Sequence, residues 1–212
     1  MKFLRKFIIG VFGISFAMNA SADLPPYVTI PPSVNGQANP SYGGTGCPAG
    51  TARAAVSPDL GSFTMIFDEY VVEALGSNST SRKNCQILVN FDFPQGWSYS
   101  LVRLDYRGFY SLSAGATAKQ QSLYYFQGSL QQGRLFTMFT GPAQGDYTIS
   151  DTLGINDLVW SPCGEKRALN INSSLLAQVS SNNPSGFAQL TTDSIDGTVK
   201  TTYALKWKKC EQ

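Results

Sequence analysis

The sequence predicts an all-β protein, an antiparallel β-sandwich of jelly-roll-like or immunoglobulin-like form, closed by two disulfides. Three observations carry this expectation. Apolar and polar residues alternate at period two along much of the chain, turn-forming Gly, Pro, Asn and Asp recur between those runs, and four cysteines occur in a chain without histidine that opens like an exported protein. Period-two alternation sorts side chains onto the two faces of a strand. Many short strands with regular turns pack as a sandwich or barrel.

The elements follow in order. Lys2, Arg5 and Lys6, an apolar run over residues 7–18 and the small-residue sequence Ala20-Ser21-Ala22 have the form of an export signal over residues 1–22. The apolar run is shorter than the roughly 20 residues a transmembrane helix needs, and no transmembrane segment is expected later in the chain. Cleavage after Ala22 removes three of the 16 basic residues and none of the 14 acidic ones, leaving a net charge near −1. So even a balance carries no basic footprint for nucleic acid, which is not an expected partner.

Residues 23–45 hold Pro25, Pro26, Pro31, Pro32 and Pro40 and read as an extended leader with a short edge strand at residues 27–30. A single β-sandwich domain is expected over residues 46–212. Its strands are placed at residues 51–57, 62–73, 98–112, 116–127, 134–140 and 145–151. Three further runs alternate clearly: CQILVNFDF with Cys85, Ile87, Val89, Phe91 and Phe93 on one face, LNINSSL with Leu169, Ile171 and Leu175, and TTYALKWKK with Tyr203, Leu205 and Trp207. Ser57-Pro58-Asp59, Pro94-Gln95-Gly96, Gln132-Gly133, Gly141-Pro142, Asn183-Pro184 and Asp196-Gly197 punctuate them as turns. A helical turn is allowed near residues 74–82.

The cysteines are Cys47, Cys85, Cys163 and Cys210, an even number with no Cys-x-x-Cys pair. In an exported chain they are expected to form two disulfides rather than a reactive thiol. Three pairings are possible, and the sequential one, Cys47–Cys85 with Cys163–Cys210, is preferred. Closing loops of that size contributes about 4 kcal/mol each by the chain-entropy account.

The absence of histidine removes Ser-His-Asp and Cys-His nucleophiles and Cys/His zinc sites. An enzyme built on this chain would work through carboxylates, and a pair about 5–10 Å apart can hydrolyse a glycosidic bond. Asp68, Glu69, Glu73, Asp92, Asp105, Asp146, Asp151, Asp157, Glu165, Asp193 and Asp196 are available. Most flank turns, where solvated carboxylates are ordinary, and no catalytic residue, metal site or cofactor is assigned.

Aromatic residues are the stronger signal. Trp97, Tyr99, Tyr106, Tyr110 and Tyr124 are the candidate ligand-binding residues, because a pyranose face stacks on an exposed ring. Trp97 leads, since it follows the Pro94-Gln95-Gly96 turn. The competing role for the same rings is to fill the core and its rims. Tyr124 and Tyr125 are adjacent, so in one strand they face opposite sides and one of the two faces outward.

The ordered motifs GTGCPAG, RKNCQ, DYRG, YYFQG, WSPCG, LNIN, TTDSIDG and YALKWKKC resemble a family of secreted bacterial and fungal proteins known as a domain of unknown function. The resemblance spans about residues 43–210. It implies a small exported β-rich domain in which the four cysteines belong to the family pattern, and it brings no catalytic residues. Taken together, the expected function is a non-catalytic extracellular or cell-surface module that binds a glycan or a protein. The alternatives are a secreted carboxylate-dependent hydrolase acting on polysaccharide and a structural envelope or coat component. Secretion is the expected fate, with the periplasm or cell surface as alternative locations.

Overall fold

The computed structural model describes residues 24–31, 33–38, 41–56, 62–152, 158–192 and 199–211; the export signal read over residues 1–22 lies outside them. In chain order the strands are β1 (Ser33–Val34), β2 (Gln37–Ala38), β3 (Ser41–Gly43), β4 (Ala52–Val56), β5 (Ser62–Phe67), β6 (Val71–Leu75), β7 (Thr80–Val89), β8 (Trp97–Leu112), β9 (Ala116–Phe126), β10 (Gly133–Thr140), β11 (Ala143–Thr152), β12 (Leu169–Val179), β13 (Phe187–Thr191) and β14 (Val199–Lys209). All pairings are antiparallel. Among the described residues no helix is long and apolar enough to cross a membrane.

The fold is an antiparallel β-sandwich, as the alternation predicts. One layer is a five-stranded sheet in the order β10-β9-β12-β7-β3, and the other a seven-stranded sheet in the order β4-β5-β14-β8-β13-β6 with β11 also on β8. The core lies between them. From the five-stranded layer it takes Cys85, Ile87 and Val89 of β7, Ala118, Tyr124 and Phe126 of β9, and Leu169, Ile171, Leu175 and Ala177 of β12; opposite stand Met65, Phe67, Tyr99, Leu101, Tyr106, Leu190 and Trp207, all buried.

Strand β8 organises the larger sheet. Residues 103–106 pair with both β14 and β11, so those two strands lie on opposite edges of β8. Residues 110–112 pair with both β13 and β11, so β13 follows β14 along the same edge. Strands β5 and β6, the next neighbours outward, likewise lie end to end. That is why the single strand expected over residues 62–73 is two, interrupted at residues 68–70: Tyr70 turns into the core and its hydroxyl reaches Ser173 Oγ of the opposite sheet at 3.3 Å. The helical turn allowed near residues 74–82 does not form: residues 76–79 make a non-helical turn between β6 and β7, whose strands take up the rest of that span.

Between Leu101 and Arg103, β8 holds one residue more than β14, whose Leu205 and Ala204 are consecutive partners of those two residues. This bulge at Val102 reverses the facing of all that follows. Tyr99 and Leu101 face the core before it, and Tyr106, Gly108 and Leu112 face the core after it. Gly108 is there because the Tyr147 ring and the Thr191 carbonyl occupy the place a Cβ would take; the Tyr147 hydroxyl donates to that carbonyl at 2.7 Å.

The span read as a leader contributes to the sandwich. Val28 is buried, Thr29 forms an antiparallel bridge with Asp92, and β3 adds an edge strand to β7.

All four cysteines are paired, Cys47 with Cys85 at a Cα separation of 5.4 Å and Cys163 with Cys210 at 5.8 Å. The first is fully buried and binds the loop after β3 to the middle of β7. The second ties the exposed segment before β12 to the end of β14, whose Cys210 amide also donates to Gly96 O at 2.8 Å.

Two outcomes follow. Cys163→Ser and Cys210→Ser should each lower stability by about 2–5 kcal/mol, and a double variant should be little worse than either alone; full additivity in denaturant titrations would mean the two are not partners. Burial holds the Tyr99 phenol far above the ordinary 10.0, and the same desolvation raises that of Tyr70 against the opposing effects of Ser173 and Arg82. The unfolded chain therefore loses those protons first. Stability, complete below about pH 10, should fall as the pH rises beyond it, and Tyr99→Phe should make the fall shallower in denaturant midpoints taken across that range.

Candidate functional site

The five rings singled out from the sequence fall in the core and on its rim. Tyr99 is fully buried at the centre of an aromatic cluster, with ring centroids of Phe126 and Trp207 at 5.1 Å, Phe91 at 5.2 Å and Phe93 at 5.6 Å. Tyr106 and Tyr124 are also buried, and the Tyr124 ring covers Gly133 of β10, where a Cβ would collide with it. Tyr110 is half-buried and stacks on Phe139 at 4.7 Å between the two sheets. Trp97 is 8% exposed, lies 5.6 Å below the Lys209 ammonium, and forms one wall of a small pocket with Phe93, Gln95, Glu165 and Lys166. These rings are brought together as packing. Stacking a sugar needs an open ring face, which they do not present.

The described carboxylates are dispersed. Asp68 pairs with Arg53, Asp105 with Arg103, Asp92 with Lys166 and Glu165 with Arg167, while Glu73 accepts from Gln189. Asp157, Asp193 and Asp196 lie outside the described residues. Among the described residues no group of three acidic or cysteine side chains is placed to hold a metal ion.

An open surface does exist, on the outer face of the five-stranded sheet. Register lines up its side chains in rows across β10, β9, β12 and β7: Arg134, Leu123, Asn172 and Gln86; Phe136, Gln121, Ser174 and Asn84; Met138, Lys119, Leu176 and Arg82. Tyr125 stands on the same face beside Asn170 and Leu88. Phe136 is 58% exposed and Met138 51%, although β-branched or polar residues would normally fill the outer face of an edge strand. Strand spacing puts Tyr125 about 13 Å from Phe136 along the strands and one strand across. Central β12 turns Asn170, Asn172 and Ser174 outward ahead of Leu176, so bulky groups on its flanks border a short polar strip.

Tyr125, Phe136 and Met138 were not selected from the sequence, yet a signal was present. GRLFTMFT is apolar on both of its faces, with Leu135 and Phe139 inward and Phe136 and Met138 outward, and the Tyr124-Tyr125 pair required one outward ring. What sequence alone could not settle is which of the pair it is. The inward face of β9 also carries Gln120 and Ser122, both buried, so hydrophobicity does not mark it.

Comparisons with known proteins add a lineage. Residues 38–210 match a family described as Domain of unknown function (DUF4360). An uncharacterized secreted protein of Arthroderma benhamiae is 40% identical over 172 residues, covering 80% of this chain and 69% of that protein. A solved structure of TmCBM61 in complex with β-1,4-galactotriose aligns with 80% of this chain and 87% of its own at 8% identity and a TM-score of 0.27, too distant a likeness to bear on fold or function.

Burial separates the two sets of rings experimentally. Trp97→Ala should cost about 3–5 kcal/mol, as for a core aromatic, whereas Tyr125→Ala should cost about 1 kcal/mol. Equal losses in denaturant midpoints would contradict the division between core and open face.

Proposed function

Since the chain belongs to the DUF4360 family, a domain of unknown function, we propose its role from its own surface: it is a secreted, non-catalytic module that binds a glycan on the outer face of the five-stranded sheet. The observation that carries this is an exposed ring, Phe136, and an outward Tyr125 on one face with the side-chain amides of Gln121, Asn172, Asn84 and Gln86. A pyranose offers apolar C–H faces to rings and a rim of hydroxyls that both donate and accept, and amides do both.

A carboxylate hydrolase is less well supported. It needs an acid and a partner carboxylate flanking the scissile bond, whereas Asp68, Asp105, Asp92 and Glu165 each pair with a separate cation and Glu73 accepts from Gln189. Trp97, Tyr99, Tyr106, Tyr110 and Tyr124 then act as the scaffold beneath the sheet rather than as the contact surface. Export follows from the signal over residues 1–22, and the secreted relative supports it; residues 23–45 and 46–212 remain the proposed leader and domain.

A polysaccharide pull-down with the exported protein tests the function. Retention by at least one glycan is expected, with no release of reducing ends, and Phe136→Ala combined with Tyr125→Ala should weaken it tenfold or more, about 1.4 kcal/mol, at little cost in melting temperature. Failure to retain any glycan, or turnover of the bound one, would overturn it.

A further inference from the structure

The sheet that carries the face just described has no acidic residue in any of its strands, β3, β7, β9, β10 and β12, while the strands of the other sheet contain Glu73, Asp105, Asp146 and Asp151 among their cations. Outward on the five-stranded sheet stand Arg82, Lys119 and Arg134; Lys83 has the opposite parity. Lys119 and Arg82 share a row two strands apart, about 10 Å by strand spacing, and Arg134 stands on edge strand β10. Among the described residues none of these three forms an ion pair, the four pairs lying elsewhere. Asp92, which continues the outward parity of β7 beyond its end, is held by Lys166. A whole chain of net charge only +2 does not account for such a face by general excess.

Resting on the glycan-binding function, we infer that the ligand is an anionic polysaccharide, one bearing carboxylate or sulfate groups, laid across β10, β9, β12 and β7. Its acid groups meet Arg134, Lys119 and Arg82, and its sugar faces meet Phe136 and Tyr125. Guanidinium groups match carboxylate and sulfate as two-pronged donors. The three cations have no ion-pair partner among the described residues, so a carboxylate or sulfate group can meet each of them without breaking an internal bridge. A neutral glycan would leave them unused. Three cations among rings and amides also suit a sparsely charged chain better than a nucleic acid, whose binding commonly neutralises about 6–10 phosphates.

The test is affinity electrophoresis of the exported full-length chain in gels containing polygalacturonate, alginate or dextran sulfate. Each is compared with fully methyl-esterified polygalacturonate, neutral β-1,4-galactan and single-stranded DNA. Retardation by at least one acidic glycan is expected, falling steeply with added salt. Arg82→Gln, Lys119→Gln and Arg134→Gln together should weaken it at least tenfold and flatten the salt dependence, while Lys206→Gln on the other sheet changes nothing; melting temperatures of all variants check the fold. Equal retardation by the esterified or neutral polymers, or binding unmoved by the triple substitution, overturns the anionic inference and leaves glycan binding standing. DNA binding as tight as that of any glycan also overturns it. Retardation by no glycan of either kind overturns both.

Discussion

One extra residue in β8 organises much of this molecule. Val102 has no counterpart on β14, so the strand changes facing there. An uninterrupted β8 would point Tyr99 and Tyr106 to opposite sides. With the bulge, both enter the core, and Tyr99 becomes the centre around which Phe91, Phe93, Phe126 and Trp207 pack from both layers. Edge-to-face rings at about 5 Å contribute roughly 0.5–1.5 kcal/mol each beyond simple burial, so that cluster is a principal bond between the sheets.

The two layers carry different outer faces because their inner faces are already committed. Ala, Ile, Leu, Tyr and Phe from β7, β9 and β12 line the core, and alternation leaves amides, cations and a few apolar groups outside. Buried Gln120 and Ser122 are an exception on the inner side; Gln120 donates to Ser122 at 3.4 Å, and its carbonyl oxygen has no hydrogen-bond partner among the described residues. The exposed Phe136 and Met138 are the reverse exception. An apolar group left in water on an edge strand is costly and invites aggregation, which gives it meaning as a contact surface.

The disulfides divide their work by position. Cys47–Cys85 is fully buried and belongs to the core of the five-stranded layer. Cys163–Cys210 lies at the surface, beside the turn leading into β8, and holds the segment around Trp160 and Ser161 against that strand. Ser98, Ser161 and the Tyr99 backbone form a buried hydrogen-bonded set there, so the cross-link secures polar contacts that close one end of the aromatic cluster.

The sequence by itself determined the class of fold, most strand positions, the expectation of two disulfides and the exclusion of histidine chemistry, because period-two alternation, turn residues and composition are local properties; which of the three possible pairings the cysteines make is a tertiary fact. It also required that either Tyr124 or Tyr125 face outward. Tertiary structure alone decided which, since Tyr124 is held inward over Gly133, a contact between strands that alternation within one strand does not encode. It likewise decided that Tyr99, Tyr106 and Tyr110 share the core side, because the bulge exists only in the register between β8 and β14. Finally, it assembled Arg134, Lys119, Arg82, Phe136 and Tyr125 on one face, since residues from three strands become neighbours only when the sheet pairs.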